Sequence, residues 1–215
     1  MTTIGIVGSG NIGSSVARAA IDHGYDVVIS NSRGPESLAG LVADLGPRAR
    51  AGTTAEAVRG GDLVLVAVPL KSIADLEPAP FAGKTVMDAN NYYPQRDGQI
   101  AALDDESTTT SELLQAHLAD ARVVKAFNHI HAAEIVTTAR PAGARDRRAL
   151  VVAGDDQSAK DEAAAFIDAI GFDVLDVGPL SEGWRIQRDT PGYVQQRDRA
   201  GLEADVAAAK RYRDM

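Results

Sequence analysis

Thr3-Ile4-Gly5-Ile6-Val7-Gly8-Ser9-Gly10-Asn11-Ile12-Gly13 decides the fold. A short β-branched apolar run ends in glycines spaced G-x-G-x-x-G, and an alanine-rich stretch with helical periodicity follows over residues 12–23. Strand, tight turn and helix are thus expected in succession, with Gly24 at the helix stop and a second apolar strand over 25–30. That completes a βαβ unit. In this setting the glycines allow a tight turn, close approach of a pyrophosphate, and packing of the helix on the strand. The unpaired N–H groups and dipole of the helix N-terminus favour an anion. Backbone amides of Ser9, Asn11 and Ile12, and the Ser9 hydroxyl, are the candidate diphosphate ligands. The glycine hexapeptide alone would be a weak signal. Its place between strand and helix makes it the dinucleotide-binding corner of a Rossmann fold.

The end of the second strand selects the nucleotide. A dinucleotide site for NAD carries Asp or Glu there, about 20 residues on, to hold the ribose 2′-hydroxyl. This chain has Ser30-Asn31-Ser32-Arg33-Gly34 instead. Arg33 can grip a 2′-phosphate with its planar fork and Ser32 can donate to it, whereas a carboxylate would repel it. NADP is therefore the expected cofactor, held by Gly8, Ser9, Gly10, Asn11, Ile12, Gly13, Asn31, Ser32 and Arg33. Asp26 lies at the opposite end of that strand and reads as a solvated entry residue.

Outward from this corner, the alternation continues. Helices are expected within 34–45, over 54–59, weakly over 72–76, and from the capping pair Thr109 and Glu112 to about residue 119. Apolar strands are expected over 62–68, 84–89 and 122–127, then 149–153 and 172–177 flanking a helix at 158–170. The segment 130–148 is irregular, and could cover a cleft or pack on the sheet. A charged helix is expected near Gln195 to Arg213. The fold class is α/β, a Rossmann-type doubly wound, mainly parallel sheet with a small C-terminal extension, ligand lying at the strands' carboxyl ends. Residues 1–128 form the NADP-binding domain, and 129–215 a small region for sheet extension, acceptor site and dimer contacts.

Composition narrows the partners. A net charge of −8 over 215 residues disfavours nucleic acid and anionic membrane surfaces. The absence of cysteine excludes disulfides, thiolate nucleophiles and cysteine-ligated metal. His129 and His131 alone are a poor metal site, so no metal is expected. Without a leader-like or membrane-spanning stretch, a cytoplasmic location is expected.

Val68-Pro69, Asp88-Ala89-Asn90 and Val124-Lys125-Ala126-Phe127-Asn128, together with the glycine loop and Asn-Ser-Arg-Gly, resemble the coenzyme F420-dependent NADP oxidoreductase family. The nucleotide domain also resembles the cytoplasmic portion of six-transmembrane ferric reductases. The first resemblance implies hydride transfer between NADP(H) and the deazaflavin F420, with the two rings stacked at the strand ends. Val68, Pro69 and Leu70 are expected along the nicotinamide, or merely end the core; Ala89 and Asn90 bond its carboxamide or ribose, or form a turn. By resemblance Asn128 and Ile130 face the hydride-transfer region, with His129 as a weak catalytic candidate. Asn91, Ile130, Trp184, Arg188, Thr190 and Pro191 are the acceptor-site candidates, although Trp184 and the nearby arginines suit a dimer contact equally well. The small C-terminal region leads to an expected homodimer. Alternatives are an NADPH reductase of another acceptor (flavin, quinone-like molecule, imine or ferric complex) and a non-catalytic NADP-binding sensor or subunit.

Overall fold

The computed structural model describes residues 1–212. In chain order the elements are β1 (Thr3–Val7), α1 (Asn11–Asp22), β2 (Asp26–Ser30), α2 (Ala39–Leu45), β3 (Ala49–Ala51), α3 (Thr54–Gly60), β4 (Leu63–Val66), β5 (Thr85–Asp88), α4 (Pro94–Asp97), α5 (Ala101–Asp104), α6 (Thr110–His117), β6 (Arg122–Lys125), α7 (Ala132–Thr137), β7 (Ala149–Gly154), α8 (Gln157–Ala169), β8 (Asp173–Asp176) and α9 (Arg199–Ala208). Short 3-10 turns at Pro35–Leu38, Leu70–Asp75, Ala79–Phe81 and Leu180–Ile186 complete the chain.

The strands form one sheet in the order β3-β2-β1-β4-β5-β6-β7-β8. Pairing is parallel from β3 to β6; β7 meets β6 antiparallel, and β8 runs parallel to β7. The sheet thus continues through residue 128, where the nucleotide half was expected to end. Alternating strand residues feed separate cores, as the period of two requires. Ile4, Ile6, Leu65, Met87, Val124, Leu150 and Val152 pack with α1, α7 and α8. Val64, Val66, Val86 and Val123 meet α3 and α6 on the other face, and α9 covers Ala149, Val151 and Leu175 beside them. Chain order reverses between β1 and β4, which creates a crevice at their carboxyl ends.

Two helix starts follow directly from sequence. Thr53 with Glu56, and Thr109 with Glu112, each close a capping box. The irregular segment 130–148 contains α7, which packs against α1 rather than standing free. Two buried arginines fix its end: Arg148 bonds Glu134 at 2.6 Å and the Gln195 carbonyl at 3.1 Å, and Arg147 bonds Asp168 and Asp173 at 2.5 and 2.8 Å. The charged helix expected near Gln195 to Arg213 is shorter, at Arg199–Ala208, started by the Asp198 side chain; Arg213 lies outside the described residues. No helix among the described residues is long and apolar enough to cross a membrane.

Candidate active site

Three strand ends lock the glycine turn. Gly8 N donates to Ser30 O at 3.0 Å and Ala67 N to Val7 O at 2.8 Å, so β1 leaves the sheet between β2 and β4. Gly8 has φ +109, and a Cβ there would overlap the Ala67 carbonyl oxygen while lying 3.2 Å from Val68 Cγ1. A Cβ on Gly13 would overlap the Gly8 carbonyl oxygen, so this position brings helix onto turn. Gly10 differs from both: its backbone is extended, and nothing lies within 4 Å of where a Cβ would stand. Among the described residues no side chain caps α1, so its first-turn N–H groups keep their donors for a ligand. Open space at Gly10 before an uncapped helix N-terminus fits a dinucleotide pyrophosphate.

Asn31 ties this turn to the second one. Its Nδ2 donates to Ser9 Oγ at 3.3 Å and Ser37 Oγ at 2.9 Å, while its Oδ1 accepts from Arg33 N at 2.9 Å. Sequence reading placed Asn31 at the site but missed Ser37, which also donates to Gly34 O at 2.7 Å. Ser32 and Arg33 are exposed at the tip, and the Arg33 guanidinium makes no hydrogen bond or ion pair among the described residues. Asp26 sits at the far end of β2, 3.4 Å from Arg48.

Val68 is half-buried beside Gly8, Pro69 is exposed, and Leu70 is buried at the start of its 3-10 turn. Ala89 N donates to Val66 O at 3.0 Å, which brings the end of β5 alongside that of β4. Asn90 follows, 2% exposed, and both its amide nitrogen and its amide oxygen lack a partner. A buried orphaned amide is costly unless something satisfies it. The nicotinamide carboxamide, a donor and an acceptor together, matches it.

The next candidates are held by one another. Asn91 Nδ2 donates to Asn128 O at 2.6 Å; Asn128 Nδ2 donates to Asn91 Oδ1 at 3.2 Å and to Ile186 O at 2.9 Å. Asn128 Oδ1 has no partner, and the preceding Phe127 holds an unusual φ of +59. Asn128 therefore knits β5, β6 and the C-terminal region together. His129 is fully buried, and its Nε2 accepts from Val151 N at 2.9 Å. Burial, with Arg148 and Lys125 adding repulsion, pushes its pKa down to about 3. This corrects the reading of His129 as a catalytic group: it is a neutral core acceptor. Ile130 is likewise packed in the core against the sheet.

His129 carries a pH signature. Between pH 6.5 and about 3 the unfolded chain protonates this histidine and the folded one does not. Its contribution to stability is complete above 6.5 and falls by roughly 1.4 kcal/mol per pH unit as the solution is acidified towards 3. Chemical denaturation across this range should show His129→Gln with a shallower acid loss than the parent; identical slopes would contradict the assignment.

Beyond Asn90 lies a pocket of about 340 Å³, lined by Asn91, Tyr92, Lys125, Trp184, Arg188 and Tyr212 among others. Of the expected acceptor residues, Asn91, Trp184 and Arg188 meet here; Ile130, Thr190 and Pro191 do not line it. Thr190 is buried, its hydroxyl donating to Gln187 O at 2.7 Å, and Pro191 is exposed. The Trp184 ring already carries the guanidinium groups of Arg185 and Arg211 at 4.6 and 4.7 Å, so it serves as a cation–π platform for the chain's own arginines. The sequence reading missed the pairing of Asp88 with Lys125. Its signal was a lone charge at the end of each of two adjacent apolar strands.

Residues 3–92 match the family described as NADP oxidoreductase coenzyme F420-dependent. Rat (Rattus norvegicus) metalloreductase STEAP3 is 32% identical over 191 residues, covering 86% of this chain, which spans only 35% of that protein's length. Among solved structures, the hypothetical protein SMa0349 of Sinorhizobium meliloti superposes with a TM-score of 0.78 at 30% identity, covering 93% of this chain and 96% of that one. A protein of Arthrobacter sp. FB24, provisionally named an F420-dependent NADP-reductase, gives 0.70 at 29% identity, covering 83% and 85%. Over residues 3–92, which contain the glycine turn and the Asn-Ser-Arg-Gly corner, the chain is similar to the coenzyme F420-dependent NADP oxidoreductase family.

Proposed function

We propose that this protein transfers a hydride between NADP(H) and the deazaflavin coenzyme F420. The observation that carries the nucleotide half is the open space at Gly10 before the uncapped α1, two strands away from the orphaned amide of Asn90. In this reading Ser9, Asn11 and Ile12 hold the diphosphate, Ser32 and Arg33 the 2′-phosphate, and Asn90 the carboxamide. Bound there, NADPH supplies a hydride, two electrons and a proton nucleus together, to the acceptor ring. Val68, half-buried beside Gly8, gives the crevice an apolar wall that limits water, and Ala89 keeps the strand end small. The protein's task is alignment, which removes roughly 7–11 kcal/mol of barrier in well-oriented systems. The acceptor lies towards Asn91, Trp184 and Arg188. A homodimer completing the acceptor side, and a cytoplasmic location, belong to the same proposal.

The family match and the Arthrobacter structure favour F420; similarity to a metalloreductase favours a second reading, an NADPH reductase of a flavin or ferric complex. Anaerobic mixing with NADPH and oxidised F420, followed by deazaflavin absorbance, separates them. Rapid bleaching with NADPH and not NADH is the expected result. NADPH oxidation by flavin or ferric citrate with F420 unchanged would replace the first reading by the second.

A further inference from the structure

β5 and β6 end on opposite charges that are both out of water. Asp88 is 0% and Lys125 2% exposed, with Lys125 Nζ 3.3 Å from Asp88 Oδ2. Desolvation takes back most of the Coulomb gain of such a pair, so it is a poor source of stability. Its effect here is geometric. Lys125 Nζ also donates to the carbonyl oxygen of Asn90 and, at 2.9 Å, to Thr110 Oγ1. Asp88 Oδ1 accepts from the backbone N–H of Asn90 at 2.9 Å, and Oδ2 accepts from Ser111 Oγ at 2.5 Å. The N–H and the carbonyl of Asn90 are therefore both held by this one pair, and α6 anchors the pair through Thr110 and Ser111. The Asn90 side-chain amide alone is left without a partner.

We propose that Lys125 is a positioning residue for hydride transfer: with Asp88 it clamps the peptide groups on both sides of Asn90, so that the Asn90 amide is presented in one orientation to the nicotinamide carboxamide. The inference rests on the NADP reading above. A clamp of this kind costs nothing at the moment of binding, because the amide is already oriented and its backbone cannot relax towards another partner. Burial of the Lys125 ammonium lowers its pKa and the Asp88 carboxylate opposes that shift, so the charge that grips the Asn90 carbonyl depends on its partner.

The test compares Lys125→Met, Asn90→Ala and the double variant by calorimetry with two probes: NADP, and adenosine 2′,5′-bisphosphate, which has no nicotinamide. Each single variant should raise the Kd for NADP ~10-fold and leave that for the bisphosphate within about twofold, and the double variant should be no worse than either single one. With the acceptor saturating, kcat should fall with Lys125→Met. Equal loss of both probes, or losses that multiply in the double variant, would overturn the clamp. If Lys125→Met alone fails to fold because Asp88 is stranded, Asp88→Asn with Lys125→Met removes both charges and carries the same comparison. A parent protein that binds neither probe would overturn the NADP reading itself, and the clamp with it.

Discussion

Arg33→Glu should raise the Kd for NADP by about 100-fold or more and change that for NAD by less than about threefold. Arg33 stands exposed at the tip of a turn that Asn31 holds rigid through Ser9, Ser37 and the Arg33 backbone. Its guanidinium makes no other bond among the described residues, so its loss should leave the fold intact. The substitution removes a charge-assisted fork and places a carboxylate where the 2′-phosphate would lie. NAD lacks that phosphate and should not register the change. Titration of the nicotinamide fluorescence of NADPH and NADH checks it; equal losses for both would remove Arg33 from the site.

Gly10→Val should abolish nucleotide binding with the protein still folded. The Gly10 backbone is extended and the space around its Cβ position is empty, so a valine there meets no protein atom within 4 Å of its Cβ. It instead fills the room assigned to the pyrophosphate, and the Kd for both NADP and NAD should rise at least ~100-fold with Tm changed by no more than about 2 °C. Gly13→Val is the contrasting case. Its Cβ would overlap the Gly8 carbonyl oxygen, so there the expected loss is of stability as well. Undiminished nucleotide binding by a folded Gly10→Val protein would show that the cradle lies elsewhere.

The first strand, glycine turn and helix were legible because local chemistry determines them. A glycine turn between an apolar strand and an alanine-rich helix has few other uses, and the absence of a carboxylate after β2 is visible directly in Ser30-Asn31-Ser32-Arg33. Strand periodicity showed the sheet, although β3, only Ala49–Ala51, was too short to register. Reversal of β7 against β6 was not legible, because antiparallel pairing leaves no mark on a buried apolar strand. The acceptor side was read less well. Whether His129 faces a crevice or accepts from Val151 N depends on tertiary packing, and an i, i+2 histidine pair says nothing about it. Trp184 read equally as an acceptor-site residue and as a dimer contact; its arginine partner Arg211 comes from a distant part of the chain. Asp88 and Lys125 were in plain view as single charges, but their joint hold on Asn90 needed the register that puts Asp88 opposite Lys125.

The first 34 residues are proposed to hold NADP through its 2′-phosphate. Parallel titration of the unmodified protein with NADPH and NADH, read by nicotinamide fluorescence and repeated with adenosine 2′,5′-bisphosphate as competitor, tests it most directly. NADPH should bind at least ~10-fold more tightly than NADH, and the bisphosphate should displace it. Equal affinity for the two dinucleotides, or tighter binding of NADH, would contradict the claim.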